Sequence, residues 1–502
     1  MCEVLSFFAL FGERIFLALA LINNTLYALV PVDTQAGWLE LADICKAYLS
    51  GPEHEKLHDY LKDDVKAVLV EKSYIDKDYR DTYSNFYSKK FANRPSTAYR
   101  LHFFNCLIPA EHLFGLDKYK DNYIGYSVIR PTQLNAIGRT ILDPCKLSRI
   151  TGMTCATDYS VHLFGVKFTV KGFPYISQDS DVTICAHAAA WMAFRYFSER
   201  YSAYREVFPY EITQLSRNVS LGRLLPSKGI TAYQITEIFS NYGFYPEIYS
   251  NTQYPDNFYR LLYYYIESGI PVVACTTKHA ITIIGHVSDY SLTATNNNSE
   301  DYLTGYVAND DNHWPYQLVL RRGLPESGHC SKLKIEDLVC FIAPLYEKMY
   351  LSAEHIEGLT DKILEHPSFG VNAVSKLVPK DKLIKRIFLT SSRSYKKFRR
   401  ENPLPFGLQD YYLQLPMPKF IWICELSMGG FYPNKQIVGE IIFDATASHR
   451  DRFSFLAIHY PDFILFNDRD ALGDAPNRFK YEHLAANTIQ SYAMYINNLR
   501  EI

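Results

Sequence analysis

The chain has no C-x-x-C pair and no Cys/His cluster at zinc spacing, although it carries 10 cysteines. They stand apart at positions 2, 45, 106, 145, 155, 185, 275, 330, 340 and 424. In a chain of 502 residues this scatter argues against a zinc module and against a secreted disulfide framework. It fits separately buried thiols in a reducing compartment. No apolar run is long enough to span a bilayer. The N-terminal stretch MCEVLSFFALFGERIFLALALINN is broken by Gly12, Glu13 and Arg14. The remaining run, Ile15 to Ile22, is too short to cross, and no basic segment precedes it as in a signal peptide. It is expected to be buried secondary structure, and the cytoplasm is the expected location. There is no G-x-G-x-x-G after a strand, no Walker-type loop, no internal repeat and no long low-complexity tract. Net charge is only −2, so the whole chain has no bulk attraction for nucleic acid or acidic membranes. No cofactor and no metal ion is expected.

Core-building material is plentiful. Hydrophobic residues make up 48% of the chain and charged ones 21%, which is ordinary for a globular protein of two to four domains. The 40 Tyr and 31 Phe are read as packing residues and half-buried phenols.

Helix and strand periods alternate without a regular repeat, so the class is α+β, in three regions. Residues 1–160 mix both patterns: WLELADICKAYLSG (38–51) reads as a helix with a glycine stop. NYIGYSVIRP (122–131) and GRTILDP (138–144) read as a strand pair. Residues 161–345 open with VHLFGVKFTV (161–170) as a strand. ICAHAAAWMAFRYFSER (184–200) follows as a helix, then ITAYQITEIFSNYGF (230–244) as another. NFYRLLYYYIESGIPVVACT (257–276) is a helix, a Gly-Ile-Pro break and a strand. SDYSLTATNNNSEDYLTG (288–305) reads as an exposed loop. Residues 346–502 begin with a polar helical stretch. Strands follow at 419–427, 436–446 and 451–460, and a final helix is expected in YEHLAANTIQSYAMYINNLRE (481–501).

The chemistry-bearing residues concentrate in the middle region. Cys185 opens the alanine-rich helix, where the helix N-terminus and a neighbouring imidazolium favour a thiolate. Thr183 or Asp181 could cap that helix. His279 begins the apolar strand HAITIIGH and is the preferred base; His286, at its far end, is the second choice. His187, two residues after Cys185, faces away from it on a helix. Asp310, in VANDDNHWPY, follows a further strand and can accept the Nδ1–H of a histidine; Asp311 and Asn309 are the alternatives. Gln178 lies seven residues before Cys185, and its amide could join the Cys185 backbone N–H as an oxyanion donor.

The order Gln, Cys at a helix start, His on a strand and Asp after the next strand resembles the papain-like cysteine peptidase superfamily. The likeness is strongest to the bacterial branch that includes the double-glycine leader peptidases. It covers about residues 165–345 and rests on ISQDSDVTICAHAAAWMAFRYF, GIPVVACTTKHAITIIGH and YVANDDNHWPY. The resemblance implies a papain-like central domain, a helix-borne cysteine packed on an antiparallel sheet. It implies Gln178 as oxyanion donor, Cys185 as nucleophile, His279 as base and acid, Asp310 as orienter, and a protein or peptide substrate. Two departures bear on substrate class: Ala186 follows the cysteine, and residues 288–305 lengthen the path to Asp310. A thioester at Cys185 can also be resolved by an amine, as in deamidases and transglutaminases, and the same fold can be a silent scaffold.

Two other signals are weaker. LIKRIFLTSSRSYKKFRREN concentrates Lys385, Arg386, Arg393, Lys396, Lys397, Arg399 and Arg400. It reads as a solvated helix face, with a nucleic-acid partner as the rival reading. Glu425, Asp444, His449 and Asp451 match no metal spacing.

Overall fold

The computed structural model describes residues 26–132, 134, 136–179, 181–182, 184–215, 230–326, 328–451, 453–467 and 478–502. The N-terminal apolar stretch and Thr183 lie outside the described residues. The described chain is mixed α+β, with three large sheets whose strand pairings are antiparallel. No described helix is long and apolar enough to cross a membrane.

The first sheet runs in chain order: β1 (Tyr27–Pro31), β2 (Ala67–Tyr74), β3 (Ala98–Phe104), β4 (Tyr123–Ile129) and β5 (Ile137–Leu142). Helices α1 (Gln35–Cys45) and α2 (Gly51–Leu61) connect β1 to β2, and α3 (Lys77–Asn85) follows β2. Gly51, expected to stop a helix, instead starts α2: Ser50 and Glu53 form a reciprocal capping box there, which satisfies two otherwise orphaned donors. The short β6 (Met153–Thr154) comes next. The expected strand at 161–170 is two strands, β7 (Thr157–Leu163) and β8 (Val166–Gly172), paired as a hairpin. Phe164 and Gly165, both at positive φ, make its turn. Tyr159, Val161, Leu163, Phe168 and Val170 bury one face of this hairpin against Leu69, Phe104 and Tyr123 of the first sheet.

The central sheet has the order β13-β12-β11-β10-β14-β9. Its strands are β9 (Phe244–Ser250), β10 (Val272–Cys275), β11 (Ala280–Ser288), β12 (Leu303–Asn309), β13 (Gln317–Leu320) and β14 (Cys340–Tyr346). Helix α4 (Cys185–Arg200) packs on it, with Ala186 and Ala188–Ala190 buried. Their small side chains let the backbones approach: Thr282 Oγ1 of β11 donates to the Ala189 carbonyl at 3.1 Å. Helices α5 (Pro209–Leu215), α6 (Ala232–Asn241) and α7 (Phe258–Glu267) complete this part. Gly269, at φ +70, reverses the chain between α7 and β10, a turn that a side chain would strain.

The C-terminal part begins with α8 (Ala353–Leu364). Its sheet has the order β15-β16-β18-β19-β20-β21: β15 (Ile384–Ser391), β16 (Phe420–Ser427), β18 (Gly439–Asp444), β19 (Phe455–Tyr460), β20 (Phe463–Asn467) and β21 (Phe479–His483). The short β17 (Gln436–Ile437) pairs with β22 (Tyr492–Ala493), and β23 (Arg500–Glu501) pairs with β6, which also pairs with β11.

Three sequence expectations fail here. The final helix does not form. Its residues fall on β21, β22 and β23, because neighbouring edges take up their backbone groups and tertiary pairing overrides helical spacing. The polar stretch 288–305 is not wholly exposed: Asn298, Ser299 and Tyr302 are buried, and the Asn297 carbonyl accepts from Lys385 N at 2.8 Å. The basic stretch is not one solvated helix. It divides into β15 and helix α9 (Ser392–Glu401), and Arg386 and Arg399 are interior. Arg386 donates through Nε to Glu267 at 2.7 Å and through Nη1 to Glu425 at 2.5 Å; Arg399 reaches Glu440 at 3.0 Å. Glu425 is therefore an internal counter-ion. Asp444 accepts from the Thr446 hydroxyl, and His449 stacks edge-on with His355.

The first sheet and α4 are joined by a buried carboxylate. Asp78 on α3 accepts from Trp191 Nε1 at 3.1 Å and Arg195 Nη2 at 2.9 Å, both on α4. Arg139 on β5 pairs with Asp78 at 3.5 Å and with Asp76 at 2.6 Å. Removing one partner strands the others without water. Asp78→Ala should therefore lower stability by about 3–5 kcal/mol, read as an earlier denaturation midpoint followed by tryptophan fluorescence. An unchanged midpoint would contradict this linkage.

Candidate active site

Cys185 is the first residue of α4, and Ile184 is the N-cap, with no side-chain cap bond. The expected Asp181 cap is absent because its carboxylate pairs with Lys90 at 2.7 Å. Asp179 holds the preceding loop instead, accepting from the backbone N–H groups of Asp181 and Val182 at 3.1 and 2.8 Å. The sulfur sits at an uncapped helix start and is partly exposed. Helix N-terminal amides and their dipole favour an anion at such a place.

His279 is fixed by the tight link between β10 and β11. Thr276 N donates to the His279 carbonyl at 2.8 Å, and His279 N donates back to Thr276 Oγ1 at 3.0 Å. The imidazole turns Nε2 to Asp310 Oδ1 at 2.8 Å, and the Cys185 side chain lies close enough to the same ring to raise its pKa. Burial alone would lower the ring's pKa. The hydrogen bond to Asp310 and the nearby Cys185 thiol, with the charges of Asp310 and Asp311, outweigh it and raise it to about 10. Burial pushes the Asp310 carboxyl up, but its bond to His279 and the Asn312 N–H outweigh this and hold it below its ordinary value. The ring is thus favoured in its charged form.

Of the three candidates for the acid behind the ring, Asp310 makes the contact. Asp311 Oδ1 stands 3.6 Å from Nε2. Asn309 faces elsewhere, donating to the Pro174 carbonyl at 3.1 Å and accepting from Tyr316 N at 2.9 Å. His286 lies away from the site, buried and paired with Glu267 at 2.6 Å. His187 is also buried, and burial lowers its pKa to about 4.

Gln178 donates from Nε2 to Asn312 Oδ1 at 2.7 Å, and Asn312 Nδ2 is 3.4 Å from His279 Nε2. The structure therefore gathers Cys185, His279, Asp310 and Gln178 at one rim, with Asn312 between the last three. Sequence reasoning passed over Asn312, although it stands next to the two aspartates. It also missed how the Gln178 segment is held. Thr140 and Tyr175 exchange backbone bonds at 2.9 and 3.0 Å, and Ser177 N donates to the Ile137 carbonyl at 3.1 Å. Arg130 Nη2 donates to the Ser177 and Ile137 carbonyls, both at 3.0 Å. Residues 175–177 thus run along the edge of the first sheet, which positions Gln178. A small recess beside Asp311 and Asn312 is walled by Tyr175, Trp314 and, from α2, Glu53 and Lys56.

No family model, curated protein or solved structure matches the chain. The functional reading therefore rests on the site itself.

His279, Asp310 and Asp311 are also the one group among the described residues with three ligand atoms close enough to share a metal ion, within 4.8 Å of one another. Asp311 is 2% exposed, and neither carboxylate oxygen has a hydrogen-bond donor. Burial raises its pKa to about 7. Both shifts are upward, so both cost the folded protein stability as pH rises, in different windows. The His279 pairing contributes stability fully below the unfolded histidine pKa, about 6.5, and loses it as pH rises through about 10. Relative to His279→Ala, the wild type should lose stability across that window. Asp311 is a carboxyl with a raised folded pKa, so folding is disfavoured as pH rises from about 4 to about 7. Asp311→Asn should therefore be more stable than wild type at pH 8 and equal to it near pH 4. Thermal unfolding at several pH values checks both signs.

Proposed function

We propose that this chain is a papain-like thiol hydrolase that cleaves a peptide bond through a Cys185 thioester. The observation that carries the reading is the His279 ring, bonded through Nε2 to Asp310 at 2.8 Å and lying close enough to Cys185 that the thiol shifts its ionisation. It matches the resemblance seen in the sequence, and the packing of α4 on an antiparallel sheet supports the same fold type.

Each residue has a role that follows from its position. The Cys185 sulfur, as a thiolate, attacks the substrate carbonyl carbon. The oxygen becomes an anion facing the Cys185 N–H and the Gln178 amide, once that amide exchanges Asn312 for substrate. The His279 imidazolium gives its proton to the departing amine, leaving the acyl group on sulfur. The neutral ring then takes a proton from water, which attacks the thioester, and release of the acid restores the pair. Asp310 keeps the ring oriented and stabilises its charged form. Lys385–Arg400 gives little support to a nucleic-acid partner, since Arg386 and Arg399 are buried counter-ions.

Limited iodoacetamide treatment at pH 6, followed by peptide mapping, tests the thiol. Cys185 should alkylate on the order of a hundredfold faster than the remaining cysteines, and His279→Ala should remove most of that advantage. Cys185 reacting no faster than the others would leave a scaffold. Against a peptide library, Gln178→Ala should lower turnover by about 10²–10³. Cys185→Ala should abolish it. Release of ammonia without chain cleavage would assign the thioester to deamidation instead.

A further inference from the structure

Two more thiols lie beside the proposed nucleophile, and strand register puts all three on one side of the central sheet. Cys275 ends β10 and is the direct cross-strand partner of both Cys340 on β14 and Ala280 on β11. Residues that face each other across antiparallel strands share a sheet face, as do alternate residues along one strand. Cys275, Cys340, Ala280 and Thr282 therefore face the same way. That face is covered by α4, because Thr282 bonds the Ala189 carbonyl. Cys185 is one helical turn before Ala189, and it lies near enough to shift the ionisation of both His279, next to Ala280, and Cys275. All three cysteines are partly exposed.

We propose that Cys275 and Cys340 form an oxidation site that resolves and restores the nucleophile after attack by hydrogen peroxide. The idea rests on the reading of Cys185 as a reactive thiolate. The Cys185 thiolate attacks one peroxide oxygen: an S–O bond forms, the O–O bond breaks, hydroxide leaves, and the sulfur is oxidised to sulfenic acid. The Cys275 sulfur then attacks the sulfenic sulfur. An S–S bond forms, the S–O bond breaks, and the hydroxyl leaves with the Cys275 proton as water. Cys340 next displaces Cys185 from Cys275, so the disulfide moves to Cys275–Cys340 and Cys185 departs as a thiolate. Cys340 gives its proton to the first hydroxide. In sum, two thiols and one peroxide give one disulfide and two waters.

The local chemistry suits these roles. Cys275 and Cys340 face each other directly across β10 and β14 and shift each other's ionisation. Their interaction, ahead of burial, raises the pKa of Cys275, whose attack therefore passes its proton to the leaving hydroxyl, and lowers that of Cys340, which favours the second exchange. Facing residues on antiparallel strands have Cα atoms about 4.5–5.5 Å apart, inside the disulfide range of about 4.4–6.8 Å.

The test is stepwise peroxide treatment of the full chain, blocking of remaining thiols and peptide mapping by mass spectrometry. The expected wild-type product is a Cys275–Cys340 disulfide with Cys185 still alkylatable. Cys340→Ser should stop at a Cys185–Cys275 disulfide that dithiothreitol reverses. Cys275→Ser should instead gain two or three oxygens on Cys185, which dithiothreitol does not remove. Cys185→Ser should form the Cys275–Cys340 disulfide at least tenfold more slowly. Wild type that accumulates oxygens on Cys185 without a Cys275 disulfide overturns the proposal. So does a Cys185→Ser variant that oxidises as fast as wild type. The wild-type map alone decides the first point, so the result does not hang on a variant's folding. A Cys185 that iodoacetamide ignores would sink the hydrolase reading, whereas a reactive but unresolved Cys185 sinks only this relay.

Discussion

One carboxylate shut away from water, Asp78, ties the Cys185 helix to the first sheet across 113 residues of chain between Asp78 and Trp191. It meets Arg139 from β5 and both Trp191 and Arg195 from α4. An ion left alone at such a depth costs several kcal/mol, so these groups are stable only together. The first sheet is for this reason part of the site's frame. Its edge also carries residues 175–177, and through them Gln178. The thiol's helix is thus anchored to both sheets, Gln178 to the first, and His279 and Asp310 to the second.

The second sheet has its own internal restraint on the far side. Glu267 at the end of α7 is shared between His286 of β11 and Arg386 of β15, and Arg386 continues to Glu425. The strand that begins next to His279 therefore ends against the C-terminal sheet. The two flanking regions grip the central one from different directions, through buried charge rather than through apolar packing alone.

The parts legible in the sequence were the local ones. A polar turn before an alanine-rich run marks the start of α4, and Gly-Ile-Pro before VVAC marks α7 giving way to β10. The Asn-Asp-Asp cluster after YVA marks the end of β12. Each depends on a few consecutive residues and their own conformational preferences. What could not be read depends on partners far along the chain. Nothing around Asp78 announces that Arg195 will neutralise it, and nothing around Arg386 says that it will be interior. The same cause explains the missing final helix, whose residues have helical spacing but find open strand edges at β20, β17 and β6. Between Asp310, Asp311 and Asn309 the sequence offered a choice, and only the turn geometry separates them.

The shared grip of Asp78 has a consequence for biosynthesis. A ribosome delivers the first sheet with Asp78 and Arg139 well before Arg195 emerges, and His279 and Asp310 later still. Until α4 docks, Asp76 and Asp78 share the single cation Arg139. A partly made chain would therefore carry Cys185 without His279 and Asp310, and the three can meet only after synthesis has passed Asp310.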